Sequence, residues 1–388
     1  MEDLQSLRGR IDGVDRQLVA LFQERMALSE AVARYKLAND IPVLDLKRER
    51  EVLERKAALV DDPALKMDVT RLYELIMSMS RDCQHRLMGE AEPGEPDCLS
   101  ARSQFYPPIE RPRVVYQGIP GAYSEEAAAS FFGEGVASEG LGRFEDVFDA
   151  LARGEADYGV LPIENSTTGS IRQVWDLMLQ YRYYIVGETT VKVEHCLMAL
   201  PGVKMEEITH VYSHEQGLFQ SDRFLSKHPD WQQVPLLDTA GSAKYVREAG
   251  DRTKAAICSR RAAEIYGLNV LVAGVNHNQE NYTRFAVVRP LPELREGSDK
   301  ITAAFHLPHQ SGALHEILTI FAAGGMNLVK LESRPIPGRK WEYSFFVEFT
   351  GNLRAAGMDT VLRELAQASD SLWVLGNYVA NLGTRDAV

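Results

Sequence analysis

The chain has 388 residues, of which 45% are hydrophobic and 25% charged, and its formal net charge is −12. Single domains mostly run to about 100–200 residues, so this length and composition indicate two to four globular domains and exclude a disordered or fibrous protein. The acidic balance argues against nucleic acid and anionic membranes as partners, since both require a large basic surface.

No uncharged apolar stretch approaches the roughly 18–20 residues of a membrane-spanning helix, and the first residues have neither signal-peptide nor transit-peptide character. We therefore expect a cytoplasmic protein without a membrane partner. The cysteines Cys83, Cys98, Cys196 and Cys258 are too far apart in the sequence for a CxxC pair. This spacing supports neither a disulfide scaffold nor a zinc site.

Changes in composition divide the chain into domains. Residues 1–88 are predicted to be helical nearly throughout, and residues 89–112 form a proline-rich linker. Residues 113–290 alternate short apolar runs with helical segments, which is typical of an α/β domain. Residues 299–380 are predicted as strand, helix, strand, strand, helix, strand, the order of a ferredoxin-like α+β module.

The predicted first helix carries an apolar stripe with 3-4 spacing that Arg25 interrupts. The stripe consists of Leu4, Leu7, Ile11, Val14, Leu18, Leu21, Leu28, Val32 and Tyr35. A helix from Leu4 to Leu37 is roughly 50 Å long at about 1.5 Å per residue, more than the rest of a small domain can cover. We therefore expect this segment to oligomerise.

Arg25 is expected on the packed side of this helix, where an unpaired charge is strongly destabilising. Lys36 follows three turns later on the same face, so the two cations can hold one small anion. Arg8 lies about 25 Å away along the helix, and only an antiparallel second copy would bring it to the same ligand. An interhelical salt bridge to Glu24 or Glu49 is the alternative that needs no ligand.

A set of polar residues extends over the three predicted helices: Arg8 with Asp15, Glu24 with Arg25, Lys36, Asp45 with Arg48-Glu49-Arg50, and Ser80 with Gln84. Over residues 4–86 these positions resemble the all-helical class of chorismate mutases. The resemblance implies a three-helix domain that forms an intertwined dimer, with Arg8 supplied by the partner subunit. It makes the salt-bridge alternative for Arg25 much less favoured.

Conversion of chorismate to prephenate is an intramolecular Claisen rearrangement, which needs restriction of the substrate and stabilisation of separating charge. It needs no nucleophile, metal or redox cofactor. The resemblance implies that three arginines bind the substrate carboxylates, that two side chains donate to the ether oxygen, and that three hold the hydroxyl or the ring side. In that order, these are Arg8, Arg25 and Arg48; Lys36 and Gln84; and Glu49, Asp45 and Ser80.

Polar segments mark the predicted α/β domain. Gln117–Ser124 follows a strand and opens a helix, with Ser124 expected as the N-cap, and its two glycines do not complete a dinucleotide-binding GxGxxG motif. Glu164–Ser170 follows another strand and either cradles an anion or forms an ordinary capped loop. Val211–Gln220 and Asn281–Phe285 are the remaining segments.

Taken together, the four segments resemble prephenate dehydratases over residues 113–289, and Thr283-Arg284-Phe285 is the most telling match. The resemblance implies two α/β subdomains, similar to type II periplasmic binding proteins, with Thr283 as the catalytic residue. The implied substrate-binding residues are Glu164, Asn165, Ser213, Gln216, Gln220, Arg284 and Phe285. Arg284 is either the anion partner of the substrate or a salt bridge that supports the loop.

His195 and His214 invite interpretation as general bases. A single histidine in a strand or loop is more often structural, so neither is included in the predicted catalytic set.

In the last module, Gly312-Ala313-Leu314 occupies the first strand-to-helix turn, and Glu332-Ser333-Arg334-Pro335 ends the second strand. Alone, this is turn chemistry. The pair resembles the ACT regulatory domain of phenylalanine-inhibited dehydratases over residues 299–379. The resemblance implies an allosteric phenylalanine site between paired modules, formed by Gly312, Ala313, Leu314, Asn327, Glu332, Ser333 and Arg334.

The three resemblances imply one enzyme of phenylalanine biosynthesis that acts on chorismate and prephenate and is inhibited by phenylalanine. They imply a homodimer or tetramer without metal or organic cofactor. An arogenate dehydratase is the nearest alternative. A ligand-sensing regulator with decayed catalytic domains is the alternative from another class, and the intact Lys36, Gln84 and Thr283 argue against it.

Overall fold

The computed structural model describes residues 3–39, 41, 46–88, 105–236, 238–336 and 342–381. The chain divides into two compact units, Met1–Glu95 and Pro96–Val388. Among the described residues, none of the helices combines the length and the apolar character that crossing a membrane requires.

Within its described residues, the first unit contains the helices α1 (Leu4–Ala38), α2 (Leu46–Ala58) and α3 (Pro63–Met88). The carboxylate of Asp3 caps α1, because it accepts hydrogen bonds from the N–H groups of Gln5 (2.8 Å) and Ser6 (2.9 Å) that a helix start leaves unpaired. Both α1 and α2 pack on α3. The predicted helical domain is confirmed.

The apolar stripe of α1 lies on its exposed side. In the single chain its members are 41% to 65% exposed. Arg25 is half-buried and faces α3, and the buried residues of α1 are the small Ser29 and Ala33. Arg25 therefore faces the packed side, as predicted, but the apolar stripe does not do so in the single chain, because α3 packs against the side of small residues, where the two helices can approach closely.

The second unit begins with a mixed sheet covered by helices, which we call the first lobe. Its strands are β1 (Val114–Gln117), β2 (Ser138–Leu141), β3 (Tyr158–Asn165), β4 (Gly169–Ser170), β5 (Tyr184–Lys192) and β11 (Tyr282–Arg289). Its helices are α4 (Tyr123–Phe132), α5 (Phe144–Ala152) and α6 (Arg172–Tyr181). The strand order is β2-β1-β3-β11-β5, with β4 paired to β3. β3 is buried along almost its whole length, as expected for a strand covered on both faces.

A second sheet forms what we call the second lobe. Its strands are β6 (Cys196–Ala199), β7 (His210–His214), β8 (Gln232–Leu236), β9 (Lys254–Cys258) and β10 (Asn269–Val272), in the order β10-β6-β9-β7-β8. Its helices are α7 (Glu215–Gln220), α8 (Asp222–Leu225), α9 (Thr239–Ala249) and α10 (Arg260–Tyr266). The predicted division into two α/β subdomains is confirmed.

Two short crossovers connect the lobes. The chain leaves the first lobe through residues 193–195 and returns through residues 273–281. Backbone hydrogen bonds join the crossovers: Val193 N donates to Asn281 O (2.7 Å) and Val275 N donates to His195 O (2.8 Å). The two segments therefore lie side by side.

The C-terminal module contains β12 (Lys300–His306), α11 (Ala313–Ala323), β13 (Leu328–Pro335), β14 (Tyr343–Thr350), α12 (Met358–Gln367) and β15 (Ser371–Tyr378). Its antiparallel sheet has the order β13-β14-β12-β15, so the predicted element order is confirmed. Gly376 of β15 lies so close to the Ile185 carbonyl of β5 that a Cβ atom would overlap it. The module thus packs directly on the first lobe.

The predicted linker falls partly outside the described residues, which omit 89–104. Its last part is attached to the second unit. Tyr106 N donates to Pro292 O (3.0 Å), and Ile109 N donates to the hydroxyl of Tyr158 (3.1 Å). Phe105 packs against the core of the C-terminal module.

Candidate active sites

A small polar group lies where α1 meets α3. Nη1 of Arg25 donates to the hydroxyl of Ser80 and to the Ile76 carbonyl (3.4 Å). Ser80 is 5% exposed, and its own hydroxyl donates to the same carbonyl (2.8 Å). A guanidinium has five N–H donors, so Arg25 retains donors for a ligand while α3 holds it in place.

Gln84 lies one turn beyond Ser80 on the same face of α3 and is 8% exposed. Among the described residues, its side-chain oxygen has no hydrogen-bond partner. An unpaired buried polar atom costs about 1–3 kcal/mol. Arg25, Ser80 and Gln84 therefore form a partly buried polar group with capacity for a ligand.

The other predicted residues of α1 lie at different depths. Lys36 is half-buried three turns after Arg25. Arg8 is exposed and lies about 25 Å along the same helix. One chain alone therefore does not bring Arg8 to Arg25.

The predicted residues around α2 are not brought to this group by any described contact. Arg48 is exposed, and its Nη1 atom lies 3.6 Å from Oε2 of Glu51. Glu49 belongs to α2. Asp45 lies outside the described residues.

The strands β3 and β11 position the residues of the α/β domain. In their antiparallel pairing Thr283 is opposite Asn165, and Arg284 is opposite Glu164. Successive side chains of a strand point to opposite faces. Thr283 and Asn165 therefore share one face of the sheet, while Arg284 and Glu164 share the other.

Asn165 holds the hydroxyl of Thr283. Its side-chain oxygen accepts from the backbone N–H groups of Thr167 and Thr168 (both 3.0 Å), so the remaining amide nitrogen must be the donor. That nitrogen donates to Oγ1 of Thr283 (2.9 Å) and to Oδ1 of Asn281 (2.8 Å). Since Oγ1 accepts from Asn165, the hydroxyl proton of Thr283 is available to a substrate.

The hydrogen-bond chain continues into the second lobe. Nδ2 of Asn281 donates to Oε1 of Gln220 (3.1 Å), which also lies 2.9 Å from Nε2 of His195. Nδ1 of His195 lies 3.2 Å from the hydroxyl of Tyr123. Burial lowers the pKa of His195 to about 4, although the hydrogen bond to Gln220 acts in the opposite direction. The imidazole is therefore neutral at neutral pH.

On the opposite face, Arg284 belongs to a buried ion cluster. Its guanidinium contacts the carboxylates of Glu164 (2.6 Å), Glu188 (3.0 Å) and Glu348 (2.7 Å). Lys300 contacts Glu188 (2.9 Å) and Glu348 (3.0 Å). Of the two predicted roles for Arg284, this arrangement favours the salt bridge.

The charges in this cluster stabilise each other. Burial alone would raise the pKa of Glu348, but Arg284 and Lys300 outweigh it and hold that pKa below its usual range. Burial alone would lower the pKa of Arg284, but Glu348 and Glu188 hold it well above its usual range. Arg284 and Glu348 are therefore ionised together at neutral pH.

Other predicted dehydratase residues have different surroundings. Ser213 is fully buried and donates to the Ile257 carbonyl (2.6 Å). Gln216 is exposed in α7. Phe285 is 1% exposed and packs in the core of the first lobe. The structure therefore brings Asn165, Gln220 and Thr283 together, and places Phe285 in a core.

The predicted helix cap was wrong. α4 begins at Tyr123, so Ser124 lies inside its first turn, and the cap residue Ala122 makes no side-chain hydrogen bond. Instead, the carboxylate of Glu125 accepts from Gly121 N (2.6 Å). Gly121 adopts a φ of +93° and closely approaches Ala262 of the second lobe.

The turn Gly312-Ala313-Leu314 begins α11. Gly312 is the cap residue, with a left-handed φ of +91° that other residues rarely adopt. Ala313 is buried and Leu314 half-buried. Asn327 is exposed just before β13 and pairs with Thr350 through backbone and hydroxyl.

Strand β13 has one face toward the first lobe and one toward solvent. Glu332 accepts from the hydroxyl of Ser170, and Nη2 of Arg334 contacts Asp176 Oδ2 (2.7 Å). Ser333, between them, is exposed. Alternation thus separates the predicted phenylalanine-site residues of this strand.

Sequence reasoning missed three residues of the Thr283 hydrogen-bond chain. Asn281 stands two positions before Thr283, the spacing that puts both on one face of a strand, and this signal could have identified it. The other two are His195 and Tyr123. The contacts of His195 with Gln220 and of Tyr123 with His195 depend on tertiary structure alone.

Residues 114–292 match the family model for prephenate dehydratase, and residues 7–85 match the family model for chorismate mutase type II. A bifunctional chorismate mutase/prephenate dehydratase from Enterobacter agglomerans is 33% identical over 97% of this chain and 95% of its own. The chloroplastic arogenate dehydratase/prephenate dehydratase 6 of Arabidopsis thaliana is 38% identical over 69% of this chain and 68% of its own. A crystal structure of prephenate dehydratase from Arthrobacter aurescens, in complex with L-Phe, is 30% identical, with a TM-score of 0.63 over 71% of this chain and 92% of its own.

The helical unit is thus a chorismate mutase domain, and the two α/β lobes are a prephenate dehydratase domain. The chain belongs to the family of bifunctional chorismate mutase/prephenate dehydratases, which are enzymes of phenylalanine biosynthesis.

Proposed function

We propose that this chain rearranges chorismate to prephenate at the α1–α3 site and converts prephenate to phenylpyruvate at Thr283. The observation that carries the proposal is the directed hydrogen bond from Asn165 to Thr283 (2.9 Å), which leaves the Thr283 proton for the substrate. The family relationship supports both activities. Among the described residues, no cluster of His, Cys, Asp or Glu is suited to a metal ion.

In the mutase reaction, one C–O bond breaks and one C–C bond forms within the same molecule. Arg25 binds a substrate carboxylate, and Lys36 and Gln84 donate to the ether oxygen as its negative charge grows. Arg8 of the partner subunit and Arg48 complete the carboxylate site, while Asp45, Glu49 and Ser80 hold the hydroxyl or the ring. The half-buried Arg25 beside Ser80 supports this assignment.

In the dehydratase reaction, the ring carboxylate leaves as CO2, its bonding electrons enter the ring, and the ring hydroxyl departs. The Thr283 proton moves to that hydroxide and forms water. The amide N–H of Asn165 stabilises the negative charge that develops on Oγ1, and water then returns a proton to Thr283. Gln220, Ser213 and Gln216 are proposed to line the substrate cleft, whereas Glu164 lies on the opposite face of the sheet and contacts Arg284 (2.6 Å).

A coupled assay tests the two activities. The purified chain is expected to consume chorismate and to form phenylpyruvate, each followed by absorbance. Loss of chorismate without phenylpyruvate formation would support the mutase assignment and overturn the dehydratase assignment. Neither reaction would be expected from the alternative of a decayed sensor.

Arogenate is the second candidate substrate for the dehydratase site. The named activity of the Arabidopsis relative favours testing it. Prephenate and arogenate differ at the side chain, which carries an oxo group in one and an amino group in the other. A ratio of kcat/KM for prephenate over arogenate above 1 supports the prephenate assignment, and a ratio below 1 reverses it.

We also propose that the C-terminal module, residues 299–380, is an ACT domain that binds phenylalanine and inhibits the dehydratase. The complex of the related Arthrobacter enzyme with L-Phe supports this assignment. The proposed site uses Gly312, Ala313, Leu314, Asn327, Glu332, Ser333 and Arg334, between modules of a dimer or tetramer. The proposed boundaries of the other domains are residues 1–88 and 113–290, joined by 89–112.

Calorimetric titration tests the regulatory assignment. L-Phenylalanine is expected to bind, raise the melting temperature and inhibit the dehydratase more than the mutase, whereas D-phenylalanine serves as the stereochemical control. Absence of heat at millimolar L-phenylalanine would overturn it.

A further inference from the structure

The crossovers that connect the lobes contain more buried polar side chains than a simple connection needs. His195 is 3% exposed, Asn276 is 3% exposed and Asn281 is 1% exposed. Residues with polar side chains are rarely this buried unless they are hydrogen-bonded. All three make hydrogen bonds, and those of His195 and Asn281 lead to Thr283.

The backbone around His195 is held by the opposite crossover. Oδ1 of Asn276 accepts from His195 N (3.0 Å), and the carbonyl of His195 accepts from Val275 N (2.8 Å). Nδ2 of Asn276 donates to the Val193 carbonyl (3.3 Å). The imidazole therefore projects from a residue whose backbone N–H and carbonyl are both held by the opposite crossover.

The direction of each hydrogen bond follows from the backbone of the 165–168 loop. Two backbone N–H groups fix the amide orientation of Asn165, which makes Oδ1 of Asn281 an acceptor and its Nδ2 a donor. Gln220 consequently presents Oε1 to Asn281 and to His195. Because Oε1 can only accept, Nε2 of His195 carries the proton and its Nδ1 is unprotonated. Nδ1 faces the hydroxyl of Tyr123, which donates its proton to the Glu194 carbonyl (2.9 Å).

We propose that His195 and Asn281 are positioning residues for the dehydratase reaction. They hold the Asn165 amide in place, and the amide in turn holds the Thr283 hydroxyl in the orientation that donates to the substrate. This inference rests on the proposed function. Asn281 supplies the shortest hydrogen bond of the Asn165 amide nitrogen (2.8 Å), which also donates to the Tyr282 carbonyl (3.2 Å). His195 fixes the Gln220 oxygen that orients Asn281. Neither residue needs to touch the substrate.

The series of hydrogen bonds also connects Thr283 to both lobes. Thr283, Asn165 and Asn281 belong to the first lobe and its returning crossover, whereas Gln220 ends α7 of the second lobe. The Gln220 backbone carbonyl accepts from His277 N (2.8 Å) in the same crossover. The orientation of Thr283 therefore depends on the relative position of the two lobes.

His195→Phe removes the Nε2 donor and keeps a ring of similar shape, whereas His195→Gln keeps an N–H donor. We expect His195→Phe to lower the dehydratase kcat by about 10- to 100-fold with little change in KM, because misplacement of a reacting group affects the rate more than binding. His195→Gln is expected to retain most of the rate. His277→Gln is the matched control in the same crossover.

A double-mutant cycle separates positioning from a structural role. Combined with Thr283→Val, the His195→Phe change is expected to cause no further loss, since its effect passes through Thr283. Circular dichroism and urea unfolding of each sample report whether the second unit is folded, because the mutase site belongs to the first unit. A normal kcat for His195→Phe, or an additive loss in the Thr283→Val background, would overturn the proposal.

Asn281→Ala keeps the proposal testable if His195→Phe does not fold. It is expected to lower the dehydratase kcat with KM maintained, and an effect on KM alone would contradict the proposal. Absence of dehydratase activity in the unmodified chain would instead overturn the proposed function.

Discussion

Thr283 and Arg284 are neighbours in the chain but have opposite surroundings. Thr283 accepts a hydrogen bond from the neutral amide of Asn165, whereas Arg284 contacts three carboxylates. The alternation of a β-strand separates them. The strand therefore separates the hydroxyl that we propose as the proton donor from the ion cluster around Arg284.

Thr283→Val tests the catalytic assignment with a side chain of nearly the same shape. We expect it to lower the dehydratase kcat by about 100- to 10,000-fold, the range of general acid catalysis, while the mutase rate is unchanged. Steady-state assays of both reactions on one preparation measure this. Equal loss of the two activities would argue against separate sites.

Arg25→Ala tests the mutase site. We expect it to reduce chorismate turnover at least about 100-fold, because charge stabilisation in the transition state is lost, with little change in circular dichroism. Arg34→Ala is the control, since Arg34 lies on the same helix and pairs with Glu30 at the surface (3.4 Å). Near-normal turnover in Arg25→Ala would refute the assignment.

Burial of neutral His195 makes stability depend on pH. The unfolded chain binds a proton at His195 near pH 6.5, but the folded chain does so only near pH 4. The stability that comes from keeping His195 neutral is thus fully present above pH 6.5. It is lost as pH falls toward 4, and the free energy of unfolding then decreases by about 3 kcal/mol.

Urea unfolding at pH 7 and pH 4.5 measures this dependence. We expect His195→Gln to have a smaller difference between the two pH values than the unmodified chain. His309→Gln, at an exposed position, is expected to match the unmodified chain. An unchanged pH dependence in His195→Gln would contradict the assignment.

At the scale of elements, the 3-4 apolar spacing predicted α1 within one residue of its observed end. It did not predict which element packs on which face of this helix. An apolar stripe indicates a surface that packs on something, but only the packing of α3 on Ser29 and Ala33 shows that the stripe is uncovered in the single chain. The same limit applies to Arg25, whose position relative to Ser80 requires the fold.

The exposed stripe predicts association of the chain through α1. Light scattering coupled to gel filtration is expected to show at least a dimer, and Leu18→Glu with Leu21→Glu is expected to shift the mass toward the monomer because charges replace apolar contacts. Gln23→Glu, exposed on the same helix, is the control. A monomeric unmodified chain would contradict this prediction.

At the scale of the whole molecule, element order in the second unit was predictable from short apolar runs and helical segments. Register and packing were not. The pairing of Thr283 with Asn165, and of Arg284 with Glu164, joins residues more than a hundred positions apart. No local pattern encodes which face of β11 carries the hydrogen bond to Asn165 and which meets the C-terminal module.

The ion cluster predicts strong coupling between that module and the first lobe. Glu348→Gln leaves Arg284 and Lys300 with fewer buried counter-charges, and we expect a loss of about 3–5 kcal/mol in the free energy of unfolding. Urea denaturation measures it. Glu207→Gln is the control, because it breaks the exposed pair with Arg252 (2.8 Å) and should cost much less, since solvent screens it. Equal effects would contradict the prediction.

The second lobe, residues 196–272, enters and leaves the molecule at adjacent points, since Val193 N and Asn281 O are 2.7 Å apart. The distance between its two attachment points therefore does not depend on how many residues the lobe contains. An exchange within it that keeps these two points adjacent is expected to leave the path of the first lobe unaltered. Such a segment can diversify as one contiguous piece, provided that it keeps the contact of Gln220 with Asn281 (3.1 Å), on which the orientation of Thr283 depends.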